Sequence, residues 1–157
     1  MGGGDFGRDR LIPDLVRATQ RDRALVLRHP SATRPFQHVL DVVAGYLLLA
    51  EALVAGDAPL AVNFGPAEAE LSVTDLLGHW QAVTGVALNW RLTDSPSMPE
   101  KSRLALDSAL ARDRLAWAPR LTTVQAVTQT AAWYHDWAAG ADMADASDAA
   151  IRSFVEG

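Results

Sequence analysis

The sequence contains no cysteine and a single lysine, Lys101, among its 157 residues. Without cysteine there can be no disulfide framework, no thiolate metal site and no cysteine nucleophile. No apolar run approaches the roughly 18 to 20 residues that span a bilayer. The residues after Met1 lack the basic start and the apolar stretch of a secretory signal. We therefore expect a cytoplasmic protein.

Catalytic motifs are missing as well. The four histidines show no metal-ligand spacing, and there is neither a nucleophile elbow nor a phosphate-binding loop with lysine. Short-chain dehydrogenases use Tyr-x-x-x-Lys, in which the lysine helps lower the tyrosine pKa so that the tyrosine can act as a base. Here Tyr46 is followed four residues later by Ala50, and Tyr134 by Ala138. We expect no catalytic residue and no metal site in this chain.

A glycine-rich segment, Gly-Gly-Gly-Asp-Phe-Gly at residues 2–7, formally matches the dinucleotide fingerprint G-x-G-x-x-G. That fingerprint requires a strand before it and an acidic residue about 20 positions later. No strand is expected before the segment, and the strand predicted at residues 24–27 leads into Arg28 rather than into an acid. We therefore interpret the segment as a flexible turn before a helix. No cofactor is expected to bind to this chain alone.

The charge distribution favours a small anionic ligand. The net charge of −5 makes general nucleic-acid binding unfavourable. Yet seven of the thirteen arginines lie within residues 8–34, against four acids in residues 1–34. Arginine offers a planar, always-charged fork that suits phosphate groups. The alternative, which holds for most of these arginines, is a set of solvated helix faces.

Apolar periodicity and capping residues predict helices separated by short strands. The predicted helices span residues 9–21, 41–55, 72–83, 108–115, 122–139 and 147–155. Buried-type strands are predicted at residues 24–27, 60–64 and 87–92, and residues 34–39 are predicted to be extended. This is a small mixed α/β layer. Its strands are too few and too short for an independent doubly wound domain, which indicates an appendage to a larger sheet.

Four blocks of the sequence resemble the CDP-glucose 4,6-dehydratases, which are extended short-chain dehydrogenases acting on nucleotide sugars. The first is the glycine run followed by Asp-Arg-Leu-Ile-Pro-Asp at residues 9–14. The second and most specific is Arg-Pro-Phe-Gln-His-Val-Leu at residues 34–40, followed by Gly-Tyr-Leu-Leu-Leu-Ala at 45–50. Asn-Phe-Gly-Pro at 63–66 and Leu-Ala-Trp-Ala-Pro at 115–119 complete the set. The blocks occur in family order and cover nearly the whole chain.

The resemblance implies that residues 1–157 are the carboxy-terminal substrate-binding domain of such an enzyme, without its amino-terminal NAD-binding Rossmann domain. In the family, one bound NAD oxidises the sugar at C4, water is eliminated across C5 and C6, and the hydride returns to C6. This reaction belongs to deoxysugar and O-antigen biosynthesis. The implied partners are the nucleotide-sugar substrate and either the missing Rossmann half or further copies of the chain. No nucleic acid or membrane is expected to bind.

The same resemblance implies five substrate-binding residues. Arg34 matches the arginine that contacts phosphate, and the following proline holds it extended. Arg10 and Leu11 match the edge of the nucleotide pocket, where a helix start can also present amides to an anion. Asn63 matches a position near the nucleotide. Glu100 falls on the nucleotide side, where a carboxylate can accept a hydrogen bond from cytosine N4.

Three functional hypotheses remain open at this point. The chain is half of a lyase that binds a nucleotide sugar together with its other half, or a stand-alone binding or interaction module without catalysis. The third is half of an epimerase or reductase for another nucleotide sugar. The block at residues 34–40 favours the first hypothesis over the third. Genomic sequence upstream of Met1 would separate the first from the second.

Overall fold

Helices and short strands alternate along the chain in a computed structural model that describes residues 1–94 and 101–157. The helices in these ranges are α1 (Leu11–Gln20), α2 (Val39–Ala55), α3 (Val73–Thr84), α4 (Ala109–Leu115), α5 (Thr123–Ala138) and α6 (Met143–Glu156). The strands are β1 (Leu25–Leu27), β2 (Thr33–Arg34), β3 (Leu71–Ser72) and β4 (Trp90–Leu92). No helix in the described part of the chain is long and apolar enough to cross a membrane.

The strands form two small pairs. Strand β1 runs parallel to β4, with Leu25 opposite Trp90. Strand β2 runs antiparallel to β3, with Thr33 opposite Ser72, and Thr33 also bridges to Arg103. Pairs this short are not stable alone, so packing against the helices must hold them. The predicted small mixed α/β lobe is confirmed.

Two apolar clusters hold the elements together. The larger cluster joins α1, β1, α3 and α5 and contains Ile12, Leu15, Val16, Leu25, Leu27, Leu76, Leu77, Trp80, Val127, Ala131 and Tyr134. The smaller cluster is formed by Phe64, Ala111, Leu115 and Trp117, with the inner side of α2 packed against it. The larger cluster therefore fixes α1 and β1, the elements that carry the candidate site described below.

Local capping signals explain most helix boundaries. Ser72 and Asp75 form a reciprocal capping box at the start of α3, as the sequence predicts. Gly56 ends α2 in the left-handed conformation at φ 75°. Helices α2 and α6 begin earlier in the chain than the sequence predicts. His38 rather than Asp41 caps α2, and α6 begins at Met143 rather than Ser147, because Asp142 accepts bonds from the amides of residues 144 and 145.

Two further sequence interpretations are wrong. Residues 60–64 form no strand. Within this run only Phe64 is buried, and it packs against Trp117 with ring centroids 5.0 Å apart, whereas Leu60 is fully exposed. The glycine segment is not a free turn. A Cβ on Gly3 would lie 2.1 Å from the Trp133 ring, and the Val39 amide donates to the Met1 carbonyl at 2.7 Å. The glycines are needed for close packing.

Gly45 and Gly78 offer a matched pair for testing how α2 packs. A Cβ on Gly45 would lie 2.5 Å from Cδ1 of Phe64, whereas one on Gly78 would meet nothing within 4 Å. We expect Gly45→Ala to lower the free energy of unfolding by about 1–3 kcal/mol through overpacking. Gly78→Ala, in the middle of α3, should raise it by about 0.5–1 kcal/mol. Urea denaturation measures both. Equal stabilisation by the two substitutions would contradict the packing of α2 on Phe64.

The His38 cap predicts a pH dependence of stability. Its Nδ1 accepts a hydrogen bond from the Leu40 amide at 3.3 Å. Burial, and secondarily the charge of the Met1 amino group, lowers the pKa of His38 to about 4. An unfolded histidine titrates near pH 6.5. Between these values the unfolded chain binds more protons, so stability that is fully present above about pH 6.5 is lost as the pH falls toward about 4.

We expect this proton linkage to lower the free energy of unfolding by roughly 2–3 kcal/mol across that window. The control is His38→Asn, which keeps a side-chain acceptor at the cap but does not titrate. Urea unfolding of both proteins at several pH values isolates the histidine, because the carboxylates contribute equally to each. The same pH slope in both proteins would show that His38 is not held neutral.

Candidate functional site

A cleft of about 220 Å³ opens between the start of α1, strand β1 and the loop leading into β2. Leu11 and Arg34, both predicted as substrate-binding residues, lie in its wall. Arg28 and His29 come from the turn after β1, and Phe36 follows Arg34. The structure thus brings together two of the five predicted residues and adds an aromatic ring and a further arginine beside them.

A second cleft of about 380 Å³ adjoins the first, because Asp9, Asp14 and Arg28 line both. Its other charged residues come from α1 and the segment after it: Arg17, Arg21 and Arg23. Five of the seven arginines of residues 8–34 therefore line the two adjoining clefts, which we call the groove: Arg17, Arg21, Arg23, Arg28 and Arg34. Arg17 is paired with Asp14 in this groove, and the other guanidinium groups suit an anion that carries more than one phosphate.

Strand β2 places Arg34 at this cleft. Its neighbour Thr33 pairs with Ser72, accepts a hydrogen bond from the Leu104 amide at 3.1 Å, and donates its own amide to the Ser102 carbonyl at 2.8 Å. The Arg34 guanidinium donates from Nη1 to the Thr33 carbonyl at 2.8 Å. The backbone at Arg34 is thus held on both sides, and the predicted extended conformation before Pro35 is present.

Arg10 lies next to Leu11 but its side chain does not line the first cleft. It caps α1 without a side-chain hydrogen bond, and its Nη1 donates to Oδ2 of Asp5 at 3.0 Å. The Gly7 amide, and secondarily the Arg10 guanidinium, holds the pKa of Asp5 below its ordinary value. The Arg10 side chain is 66 % exposed. In this structure its ion pair with Asp5 holds together the segment that precedes α1.

The structure places Asn63 away from the cleft and does not describe the fifth predicted residue. Asn63 is exposed and its Nδ2 donates to the Asp107 carbonyl at 3.3 Å, beside α4. It is absent from the walls of both clefts. Glu100 lies outside the described residues. Neither residue gains support from the geometry.

Several residues of the cleft were not singled out from the sequence. Asp9, Arg28, His29 and Phe36 line it although only Arg34 and Leu11 were named there. The local excess of arginine was the available signal for Arg28. No signal pointed to Asp9 or His29, because these positions meet only through the packing of α1 on β1. Among residues 1–94 and 101–157, no group of three metal-ligand side chains is assembled.

No known family profile matches the chain. One curated relative, CDP-glucose 4,6-dehydratase of Salmonella typhimurium, is 30% identical over 158 aligned residues, which cover 99% of this chain. The same match covers 44% of that enzyme. The chain therefore spans less than half the length of this relative, and the resemblance predicted from the sequence blocks is confirmed.

Solved structures show the same fold at lower identity. A UDP-glucose-4-epimerase from Stenotrophomonas maltophila matches 88% of the chain at TM-score 0.76 and 18% identity, over 43% of its own length. A dTDP-glucose 4,6-dehydratase from Bacillus anthracis matches 87% at TM-score 0.70 and 18% identity, over 42% of its length. The chain has the fold of the carboxy-terminal part of extended short-chain dehydrogenases and is similar throughout to that part of CDP-glucose 4,6-dehydratase.

Proposed function

We propose that this chain is the substrate-binding part of a sugar-nucleotide 4,6-dehydratase and that its groove holds the nucleoside diphosphate of CDP-glucose. The observation that carries the proposal is the convergence of Leu11 and Arg34 on one cleft, in a chain similar over 99% of its length to a CDP-glucose 4,6-dehydratase. The proposal includes the cytoplasmic location expected from the sequence.

In this proposal each element contributes a different kind of contact. The Arg34 guanidinium, with Arg28 beside it, supplies planar donors to the diphosphate. The first turn of α1, which has no side-chain cap, adds backbone amides and the positive end of the helix dipole. Leu11 and Phe36 supply apolar contacts. These groups bind and orient the substrate; none of them exchanges a proton with it.

NAD belongs to the complete enzyme in this proposal, where it takes and returns a hydride. The solved epimerase and dehydratase are described with bound NAD. The glycine segment of this chain does not fit such a cofactor, because Gly3 is packed against Trp133 with no room for even a Cβ atom. In this proposal the glycine-rich turn that binds NAD belongs to the remaining part of the enzyme.

A fused protein tests the proposal: the amino-terminal part of the Salmonella dehydratase joined to Met1 of this chain. Calorimetric titration compares CDP-glucose with CDP, UDP-glucose and glucose. We expect binding of CDP-glucose and CDP and none of glucose, because the diphosphate supplies most of the charge-assisted contacts. Tighter binding of UDP-glucose than of CDP-glucose would favour the epimerase alternative, and failure to bind any of the nucleotides would contradict the proposal.

A further inference from the structure

Helix α2 is apolar on all sides. In its 17 residues only Asp41 and Glu51 carry charge. Its inner side, including Leu48, Leu49 and Ala52, packs against the smaller apolar cluster. A helix at the surface of a globular protein normally turns a polar face to solvent, whereas one that is apolar all round is buried. The composition of α2 therefore indicates a second covered face.

The outer side of α2 carries a continuous apolar stripe, which we call the outer stripe: Val43, Tyr46, Leu47, Ala50, Leu53 and Val54. Positions 43, 47, 50 and 54 follow the spacing of one helix face. The Tyr46 ring makes an edge contact with Phe64, with centroids 5.7 Å apart, and is still 61% exposed. Leu47 and Val54 are 62% and 92% exposed. The stripe runs along a helix about 25 Å long.

The position of Met1 indicates what covers this stripe. The Val39 amide donates to the Met1 carbonyl, and the Met1 amino group donates to the Gln37 carbonyl. Met1 therefore lies against the first turn of α2. The chain matches only 44% of the Salmonella relative, in its carboxy-terminal part. In that relative, the polypeptide that precedes the matched part must arrive beside this turn, next to the stripe.

We infer that the outer stripe of α2 is the docking surface for the amino-terminal part of the enzyme, whose contacting face must be apolar. The inference rests on the proposed function. Burial of exposed Leu and Val side chains is the main driving force for such docking. A second copy of the chain is the competing occupant, and the test separates the two.

Thiol labelling tests the inference directly because the chain has no cysteine. Leu47→Cys places a thiol in the stripe, and Ile151→Cys places the control on α6, where Ile151 is 48% exposed. Each variant is labelled with a maleimide in the 157-residue chain and in the fused protein, and the modified peptide is quantified by mass spectrometry. We expect the Leu47→Cys thiol to react at least about tenfold more slowly in the fused protein, because the site must open before it reacts. The Ile151→Cys thiol should react equally in both.

Two outcomes would overturn the inference. One is an equal labelling rate for Leu47→Cys in the fused protein and in the isolated chain. The other is slowing that already appears in the isolated chain as its concentration rises, which would assign the stripe to a second copy. The test can be repeated with the amino-terminal part added as a separate protein, which shows whether protection requires the covalent fusion. The labelling test uses no ligand. Failure of the fused protein to bind CDP-glucose would therefore contradict the proposed function without affecting the inference about the outer stripe.

Discussion

The 157-residue chain, supplied with CDP-glucose and NAD, is expected to form no 4-keto-6-deoxy product. Oxidation of the sugar requires a base, and the tyrosine of the short-chain dehydrogenases works with a lysine four residues later. Neither tyrosine here has that lysine. Tyr134 is also buried, which raises its pKa, and its hydroxyl donates to the Asp5 carbonyl. It therefore holds the amino-terminal segment on α5 and gives up its proton less readily than a free tyrosine.

Product formation is measured by chromatography after long incubation, with the complete Salmonella enzyme as the positive control. The fused protein is the informative comparison, because it adds a cofactor-binding part to an unchanged substrate-binding chain. We expect product from the fused protein and none from the isolated chain. Turnover by the isolated chain clearly above a blank without enzyme would contradict the assignment of this chain as a substrate-binding part.

Short-range signals in the sequence predicted much of the fold. Helices α3 and α5 begin at the capping hydroxyls of Ser72 and Thr122, and α2 ends at Gly56, which adopts the left-handed conformation. Each of these signals operates within a few residues, so no tertiary contact is needed to interpret it. The strands near residues 25–27 and 90–92 were also predicted, although each is shorter than its apolar run.

The errors arise where distant contacts decide the structure. Residues 60–64 are as apolar as a strand, yet Phe64 is buried by Trp117 and Tyr46 rather than in a sheet. His38 is buried and takes over the cap of α2. Asp41 is then free to accept a hydrogen bond from the Arg120 amide at 2.7 Å, 79 residues along the chain. Local patterns carry no information on such pairings.

At the candidate site, too, the sequence predicts some residues correctly and fails where distant contacts decide the position of a side chain. Leu11 and Arg34 could be matched to positions of a known family, and the packing of α1 on β1 brings them to one cleft. Asn63 was matched in the same way, but its amide bonds to the Asp107 carbonyl outside both clefts. A residue match along the sequence does not specify where a loop places its side chain, because that depends on the packing of α4.

Arg34→Ala is expected to weaken binding of CDP and CDP-glucose to the fused protein about ten- to a hundredfold. A charge-assisted hydrogen bond to phosphate contributes roughly 1.5–3 kcal/mol. Arg34→Lys should also lose affinity, because a point charge cannot reproduce the planar fork. Arg10→Ala should cost less, since its guanidinium pairs with Asp5 and lies outside the cleft wall. Calorimetric titration of each variant with both ligands gives the comparison.

Arg112→Ala is the matched control, because Arg112 is exposed on α4 and lines neither cleft. It removes the same charge from the protein, so any general electrostatic effect on an anionic ligand appears in both variants and weakens as salt is added. Only the loss specific to Arg34 reports a direct contact. If Arg34→Ala binds CDP and CDP-glucose as tightly as Arg112→Ala does, Arg34 does not touch the diphosphate, and the cleft between α1 and β2 is not the substrate site.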